Sequence, residues 1–388
     1  MRHETISTNT HRRRGLTIVF VVVMIPVLLG AAALTIDVGL MINTRADLQI
    51  AADASALAGV AALSSDDMMR VRMRGSDTSA LFAVRRMAQQ LAGKFSAYNP
   101  SFATKTTYID PHDVTIGWID LTSGTSALRT DVPPSQFNAV QTIVRRTKKS
   151  RNGPVELLFA RVLGFATGEV VATATAVLDD RMAGLSPSDG PTIWPFSIHE
   201  DVLADNFVNA SDNFGYDEVS ESVTPFGDGL REIHLFPDKS APGNFGTLNF
   251  GGRGSASELV TQIDYGLTAE NMEAATGSPE MTFVDDSGDH TTYEIFGNTG
   301  ISATIESNLQ QHIGQLIGFF VHSEVRDNGS NAIYTLERMV FGRLMGAELS
   351  GGDKGVWLQP VTIVDNGGNT TEDAPSSNGL IVRIMLAR

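Results

Sequence analysis

Eight histidines and no cysteine limit the metal and nucleophile chemistry open to this chain of 388 residues. The histidines are His3, His11, His112, His199, His234, His290, His312 and His322. Zinc sites need ligands at short, repeated spacings, as in H-E-x-x-H. His199-Glu200 starts that motif without its second histidine, and His312 and His322 stand ten residues apart, so no metal site is expected. The missing cysteine excludes thiol catalysis, iron–sulfur clusters, thiolate zinc and covalent haem. The G-x-S-x-G elbow of a serine hydrolase is absent from the sequence. Phe250-Gly251-Gly252-Arg253-Gly254 is rich in glycine but lacks the Lys-Ser/Thr of a phosphate loop, and it reads as a turn.

Two groups of side-chain oxygens resemble calcium ligands: Asp285, Asp286 and Asp289, and Asp327, Asn328 and Asn331. Neither follows the spacing of an EF-hand loop, so both read as solvated turns. A glycoside hydrolase needs two carboxylates facing one cleft. The acids of the second half permit such a pair, but no spacing points to one. The basic run Arg145, Arg146, Lys148, Lys149 and Arg151 stands out on an acidic chain. It reads as a strand-end loop, with anionic headgroups or an acidic partner as the alternative. No cofactor and no enzymatic activity are expected.

The elements that would position these groups begin with a membrane-length segment. Leu16 to Ile36 is a run of 21 residues without a charge. At the helical rise it spans roughly 31 Å, enough to cross the hydrocarbon core of a bilayer. Arg12, Arg13 and Arg14 precede it and Asp37 follows it. By the positive-inside rule, residues 1–15 form a basic cytoplasmic tail and everything past Asp37 lies outside the cytoplasm. Pro26 and Gly30 would loosen or kink the span without preventing it. A cleaved secretory signal has similar parts, and Ala31 and Ala33 satisfy its A-x-A spacing. The apolar run is longer than a usual signal core, so retention as an anchor is the expectation.

A chain of this length accommodates an anchor and two domains. Hydrophobic residues make up 42% and charged residues 19%, which suits folded cores. The net charge is −15, and the first fifteen residues carry four arginines against one glutamate. The exported part is therefore more acidic than the whole and repels phosphate backbones, so nucleic-acid binding is not expected.

Past Asp37 the sequence is rich in alanine and free of proline, and the helix is expected to continue to about Leu63. Two rows of small residues, Ala51, Ser55, Gly59 and Ala54, Ala58, Ala62, lie at four-residue spacing. Such a row either admits a neighbouring helix closely or seats the helix on its own domain. A second helix is expected from about Asp77 to Ala97, with Asp77 as its cap. Alternation in TTYIDPHDVTIGWID and FNAVQTIVRRTKK predicts strands. A short helix, Val155 to Leu163, is expected between Gly153-Pro154 and Gly164, followed by a strand to Leu178. Residues 37–180 thus read as an α+β domain with an antiparallel sheet. Residues 181–192 read as a Ser/Gly/Pro linker and 193–388 as a β-rich extracytoplasmic domain. In the latter, strands are expected over Leu230–Phe236, Met281–Val284, Thr291–Phe296, Leu316–Val325, Ala332–Val340, Val356–Val364 and Leu380–Leu386. Helices are expected over Ser255–Gly266 and Ile301–Ile313.

The N-terminal run RRRGLTIVFVVVMIPVLLGAAALTIDVGLMINTRADLQIAADASALAGVAAL resembles the start of TadE/TadG-like proteins of Tad (tight adherence, Flp-type) pilus-assembly systems. The matching elements are the basic run with Gly15, the apolar span, Asp37-Val38-Gly39, Leu48-Gln49, Ala51-Ala52-Asp53-Ala54 and Ala56-Leu57-Ala58-Gly59. PVELLFARVLGFATGEVVATATAV is similar to the end of these pilin-like regions. GNFGTLNF and NAIYTLERMVFGRLMGAEL are similar to the longer TadG-related chains. The resemblance implies a single-pass protein of the bacterial inner membrane, acting in assembly or anchoring of a pilus or secretion apparatus. Its partners would be membrane lipid and other pilus-assembly or secretion proteins. The alternative is a secreted or anchored envelope hydrolase or adhesin acting on wall or matrix polymer.

Two departures shape the expectation. Prepilin-like members carry a glutamate five residues after the cleavage glycine; Phe20 stands there after Gly15, which counts against prepilin-type processing. Neither Asp53-Ala54-Ser55-Ala56-Leu57 nor Asp285-Asp286-Ser287-Gly288-Asp289 fits the D-x-S-x-S motif of a von Willebrand A domain. The expected relative is therefore a long TadG-type chain without that domain.

Overall fold

The computed structural model describes residues 11–75, 77–102, 106–122, 127–184, 192–237, 246–251, 254–285, 287–298, 305–351, 354–365, 369–371, 374, 376–377 and 379–387. Most of the expected cytoplasmic tail, residues 185–191 of the expected linker, Gly252, Arg253 and Asp286 lie outside the described residues.

Helix α1 (His11–Val60) is followed by α2 (Asp66–Arg74) and α3 (Thr78–Ala97). Strands β1 (Val114–Gly117), β2 (Ala139–Arg146), β3 (Val155–Glu156), β4 (Thr167–Gly168) and β5 (Val170–Asp179) come next. Strands β6 (Met182–Gly184) and β7 (Thr192–His199) lead to α4 (Glu200–Asn209). Then β8 (Gly215–Asp217), β9 (Ser222–Thr224) and β10 (Ile233–Phe236) precede α5 (Ala256–Tyr265), α6 (Ala269–Thr276) and β11 (Tyr293–Phe296). Helix α7 (Glu306–Gln310) precedes β12 (Leu316–Arg326), β13 (Ile333–Glu348), β14 (Gly355–Pro360), β15 (Ile363–Val364), β16 (Asn369–Thr370) and β17 (Ile381–Leu386).

Two compact units interleave along the sequence. One comprises Met1–Ser55, Gly93–Asp113 and Thr142–Ala174; the other comprises Ala56–Ala92, Val114–Gln141 and Thr175–Arg388. They do not follow one another across residues 181–192, and Met182–Gly184 of the expected linker is strand β6, paired antiparallel with β16.

The first unit is organised by α1, which runs unbroken through Pro26. Residues 18–32 are exposed along their whole circumference. From Asp37 onward the helix acquires a buried stripe at Asp37, Leu40, Thr44, Leu48, Ala51, Ala52 and Ser55, the three-and-four spacing of one helix face. That face is seated on the sheet by polar as well as apolar bonds. The Thr142 hydroxyl donates 2.9 Å to the Ala52 carbonyl, and Gln49 Nε2 donates 3.1 Å to the Thr173 carbonyl. The α-helix ends at Val60 and tightens into a 3₁₀ turn over Ala61–Ser64, close to the expected end. Helix α3 starts where expected, with the Asp77 carboxylate accepting from the Ala80 N–H at 3.0 Å.

In the second unit a six-stranded sheet runs β10-β14-β13-β12-β7, with β11 also on β13. Its pairs are antiparallel except β7 with β12. Trp194, Phe196, Phe319 and Leu344 lie in one buried cluster and Phe250, Phe283, Phe320 and Phe341 in another. Burying Trp194 leaves its indole N–H in need of an acceptor, which the Ile263 carbonyl supplies at 2.9 Å. A second sheet runs β1-β2-β5-β17-β15, so the last strand joins β5 antiparallel and β15 parallel. The architecture is α+β with a long apolar N-terminal helix and a β-rich C-terminal part.

Several elements differ from expectation. Met281–Val284 forms no strand but only isolated bridges at Thr282 and Val284. The helix expected at Ile301–Ile313 is α7 over Glu306–Gln310, and residues 301–304 lie outside the described residues. Helices α2, α4 and α6 and strand β7 were not expected.

Candidate functional site

The first acid after the apolar run is the centre of the best-defined polar arrangement near the span. Asp37 is 2% exposed, and a buried carboxylate is costly unless its oxygens are satisfied. Its oxygens accept from the backbone N–H groups of Leu158 at 2.8 Å, Phe159 at 2.9 Å and Ala160. Burial alone would raise its pKa; the three donors outweigh this and hold it below the ordinary carboxylate value.

These donors belong to a hairpin. Strands β3 and β4 pair Val155 with Gly168 and Glu156 with Thr167, and the Leu157 N–H donates 3.0 Å to the Ala166 carbonyl. The tip is a 3₁₀ turn over Ala160–Leu163, ended by Gly164 at φ +92°. The Phe165 N–H then closes the loop on the Ala160 carbonyl at 3.0 Å. The expected helix over Val155–Leu163 is thereby corrected. Its first residues pair as a strand, and the next three N–H groups are engaged by Asp37 instead of continuing a helical turn. Met41 Sδ occupies the space a side chain on Gly168 would need, so the base of the hairpin abuts α1 at Met41 and its tip abuts α1 at Asp37.

The basic run divides in two. Arg145 forms a bidentate pair with Asp113, with Nη2 to Oδ1 at 2.9 Å. Arg146 is buried and donates to the carbonyls of Phe102 at 2.6 Å, Pro154 at 3.1 Å and Gly153 at 3.4 Å. Both are structural. Lys148, Lys149 and Arg151 remain exposed on the turn that follows β2. The Lys148 N–H donates 2.9 Å to Glu169, which adjoins Gly168, and the Arg151 guanidinium stacks 3.8 Å from the Tyr108 ring centre.

Of the small-residue rows, Ala51, Ser55, Gly59 and Ala62 are buried, whereas Ala54 and Ala58 are half-buried. A Cβ on Gly59 would stand 3.1 Å from Val140 Cγ1 and 3.6 Å from both the Ala88 carbonyl oxygen and Ala92 Cβ. Gly59 is thus a point of close approach to α3 and β2 within its own chain. In the apolar run Ala33 is half-buried, while Arg12, Arg13, Arg14, Gly15 and Leu16 form the first turns of α1.

The remaining candidates are dispersed. Parallel pairing of β7 with β12 sets His199 opposite His322, their rings 5.3 Å apart. Burial, and next the neighbouring His199, push the His322 pKa down to about 3. Sequence spacing could not reveal this pair, because only the sheet register brings it together. The Asp285 carboxylate accepts from the N–H groups of Ser287 and Asp289, which caps its own turn. Among the described residues, no three His, Asp or Glu side chains gather as metal ligands. A cleft of about 450 Å³ in the second unit is lined by Arg72, Trp118, Phe137 and Asp180 among others, and Asp180 is the one carboxylate of its described lining.

One N-terminal helix long and apolar enough to cross a membrane, with its extension folded into an α+β unit, defines the class of chain. Residues 15–62 match the family of putative Flp pilus-assembly TadE/G-like proteins. That match covers the apolar span, Asp37 and both small-residue rows. No curated protein and no solved structure matches the chain.

Proposed function

We propose that this protein is a membrane-anchored structural component of a Tad/Flp-type pilus or secretion apparatus, acting in assembly or anchoring through protein–protein contacts. The observation that carries the reading is the TadE/G-like match over residues 15–62, which coincides with the apolar helix and its folded extension. In this reading Leu16 to Ile36 spans the inner membrane, Arg12, Arg13 and Arg14 hold the N-terminus in the cytoplasm, and the two units work outside it. Exposed apolar side chains over residues 18–32 support the span, since such a surface is stable in lipid and unfavourable in water. The chain does its work by packing and carries out no catalysis. A single facing carboxylate in the described lining of the cleft lends no support to a two-carboxylate hydrolase.

The test is an in-frame deletion of the gene in its host, complemented by the full chain or by a chain lacking residues 16–36. Loss of surface pili, restored by the full chain alone, is expected. Normal piliation of the deletion strain would overturn the reading.

A further inference from the structure

The hairpin held by Asp37 carries an apolar surface that the fold leaves uncovered. At its tip Val162 is 88% exposed, Leu163 69%, Phe165 67%, Leu158 64% and Phe159 42%. Five large apolar side chains on eight consecutive residues are far more than scattered surface hydrophobics, and such patches mark a contact.

Its place along α1 says what covers it. The base of the hairpin meets the helix at Met41 and its tip meets it at Asp37, so the hairpin points back toward the apolar run. Asp37 directly follows Ile36, the last residue of the uncharged span. The tip therefore sits where the hydrocarbon core ends. Met41 is four residues further on, or roughly 6 Å along the axis, which is within the headgroup layer of about 5–7 Å. The exposed cations of the turn after β2 follow the same order, while Arg161 on the tip is paired with Glu156 at 3.6 Å. Lys148 is tied by its N–H to Glu169, next to Gly168 at the Met41 level, and Lys149 and Arg151 share its turn. Apolar side chains at the hydrocarbon boundary with cations at headgroup level form the pattern of an interfacial membrane contact.

We propose that the hairpin tip Leu158–Phe165 is a second membrane contact, seated in the interfacial layer of the leaflet from which α1 emerges, with Lys148, Lys149 and Arg151 over its anionic headgroups. The inference rests on the reading of Leu16–Ile36 as a membrane span. It makes the anchor a two-point attachment, fixing how the first unit stands on the bilayer where a lone helix would leave it free to tilt. Asp37 acts as the clamp that holds the tip at that depth.

The absence of native cysteine makes the test direct, because each substituted cysteine is the unique labelling site. Full-length Val162→Cys, Val27→Cys and Phe102→Cys proteins, each bearing an environment-sensitive fluorophore, would be reconstituted in phosphatidylethanolamine–phosphatidylglycerol vesicles. Quenching would be compared for lipids bearing a nitroxide near the headgroup, lipids bearing it near the chain end, and aqueous iodide. Phe102 is the water-side control: its N–H bonds Asp47, ten residues or roughly 15 Å beyond Asp37.

The expected result is strongest quenching of the Val162 label by the shallow nitroxide, of the Val27 label by the deep one and of the Phe102 label by iodide. A Val162 label quenched by iodide like the Phe102 label, with the Val27 label still deep, overturns the proposal and leaves the anchor standing. A Val162 label shielded from both nitroxides and iodide means that protein, such as a second copy, covers the tip, which also overturns it. A Val27 label open to iodide overturns the anchor itself.

Discussion

The carboxylate of Asp37 accepts a 2.8 Å hydrogen bond from the backbone N–H of Leu158, joining residues 121 apart in sequence. With the bonds from Phe159 and Ala160, it fixes a loop to the helix at the point where the uncharged run ends. Asp37→Ala removes the acceptor of three N–H groups at once. Amide exchange at residues 158–160 should rise on the order of tenfold or more, while α3 and the second unit stay protected. Asp37→Asn retains one acceptor oxygen without the charge and should fall between the two. Unchanged exchange in the alanine variant would contradict the assigned role.

The same bonds predict an acid limit. Because the folded pKa of Asp37 lies below the ordinary 3.8, its stabilisation is complete above that value and is lost as pH falls through the lowered one. Loop protection measured by amide exchange should be flat from neutrality down to about pH 4 and collapse below it. Loss near neutrality would point to another group.

Gly59 approaches Val140, Ala88 and Ala92 too closely for a large side chain. Gly59→Leu should cost about 1–3 kcal/mol in unfolding experiments through overpacking, and Gly59→Ala much less. Association measured with the leucine variant would report folding first. Ala58, half-buried, is the cleaner position for testing helix contacts. A Gly59→Leu protein as stable as the parent would mean that this face is not packed as described.

Arg146→Met leaves the carbonyls of Phe102, Gly153 and Pro154 without their donor and should destabilise by about 1–3 kcal/mol. Lys149→Ala, on an exposed turn, should stay within about 0.5 kcal/mol. Equal effects of the two in denaturant unfolding would refute the division of the basic run.

His322 is buried beside His199 and Tyr334 and is held neutral, its pKa lowered from 6.5 to about 3. Above the unfolded value, protonation takes nothing from stability. As pH falls below it, the unfolded chain binds a proton that the folded chain refuses, and stability drops by at most about 1.4 kcal/mol per pH unit. Comparing unfolding between about pH 7 and about pH 5, His322→Phe should flatten the slope. An unchanged slope would assign it elsewhere.

The parts legible in the sequence were those set by local chemistry. The uncharged run, the alanine-rich extension, the Asp77 cap and the alternation of β5 all depend on neighbours within a few residues. Helix α2 was equally open to reading: Ser65 caps it, Asp66 and Asp67 begin it, and Arg72, Arg74 and Gly75 end it. The hairpin tip was not, because Gly153-Pro154 and Gly164 are sound helix signals and only Asp37, far away in sequence, diverts the N–H groups between them. Strand β7 carries Pro195 at its middle and follows a Ser/Gly/Pro stretch, which disguises it. The His199–His322 pair exists only through the parallel register of β7 and β12.

Retention of the apolar helix separates a membrane-anchored component from a secreted one. The most direct measurement is peptide mapping of the protein from carbonate-washed membranes of its host. A retained anchor gives a carbonate-resistant species that still contains Leu16 to Ile36. A soluble species beginning after Ala33 would contradict it.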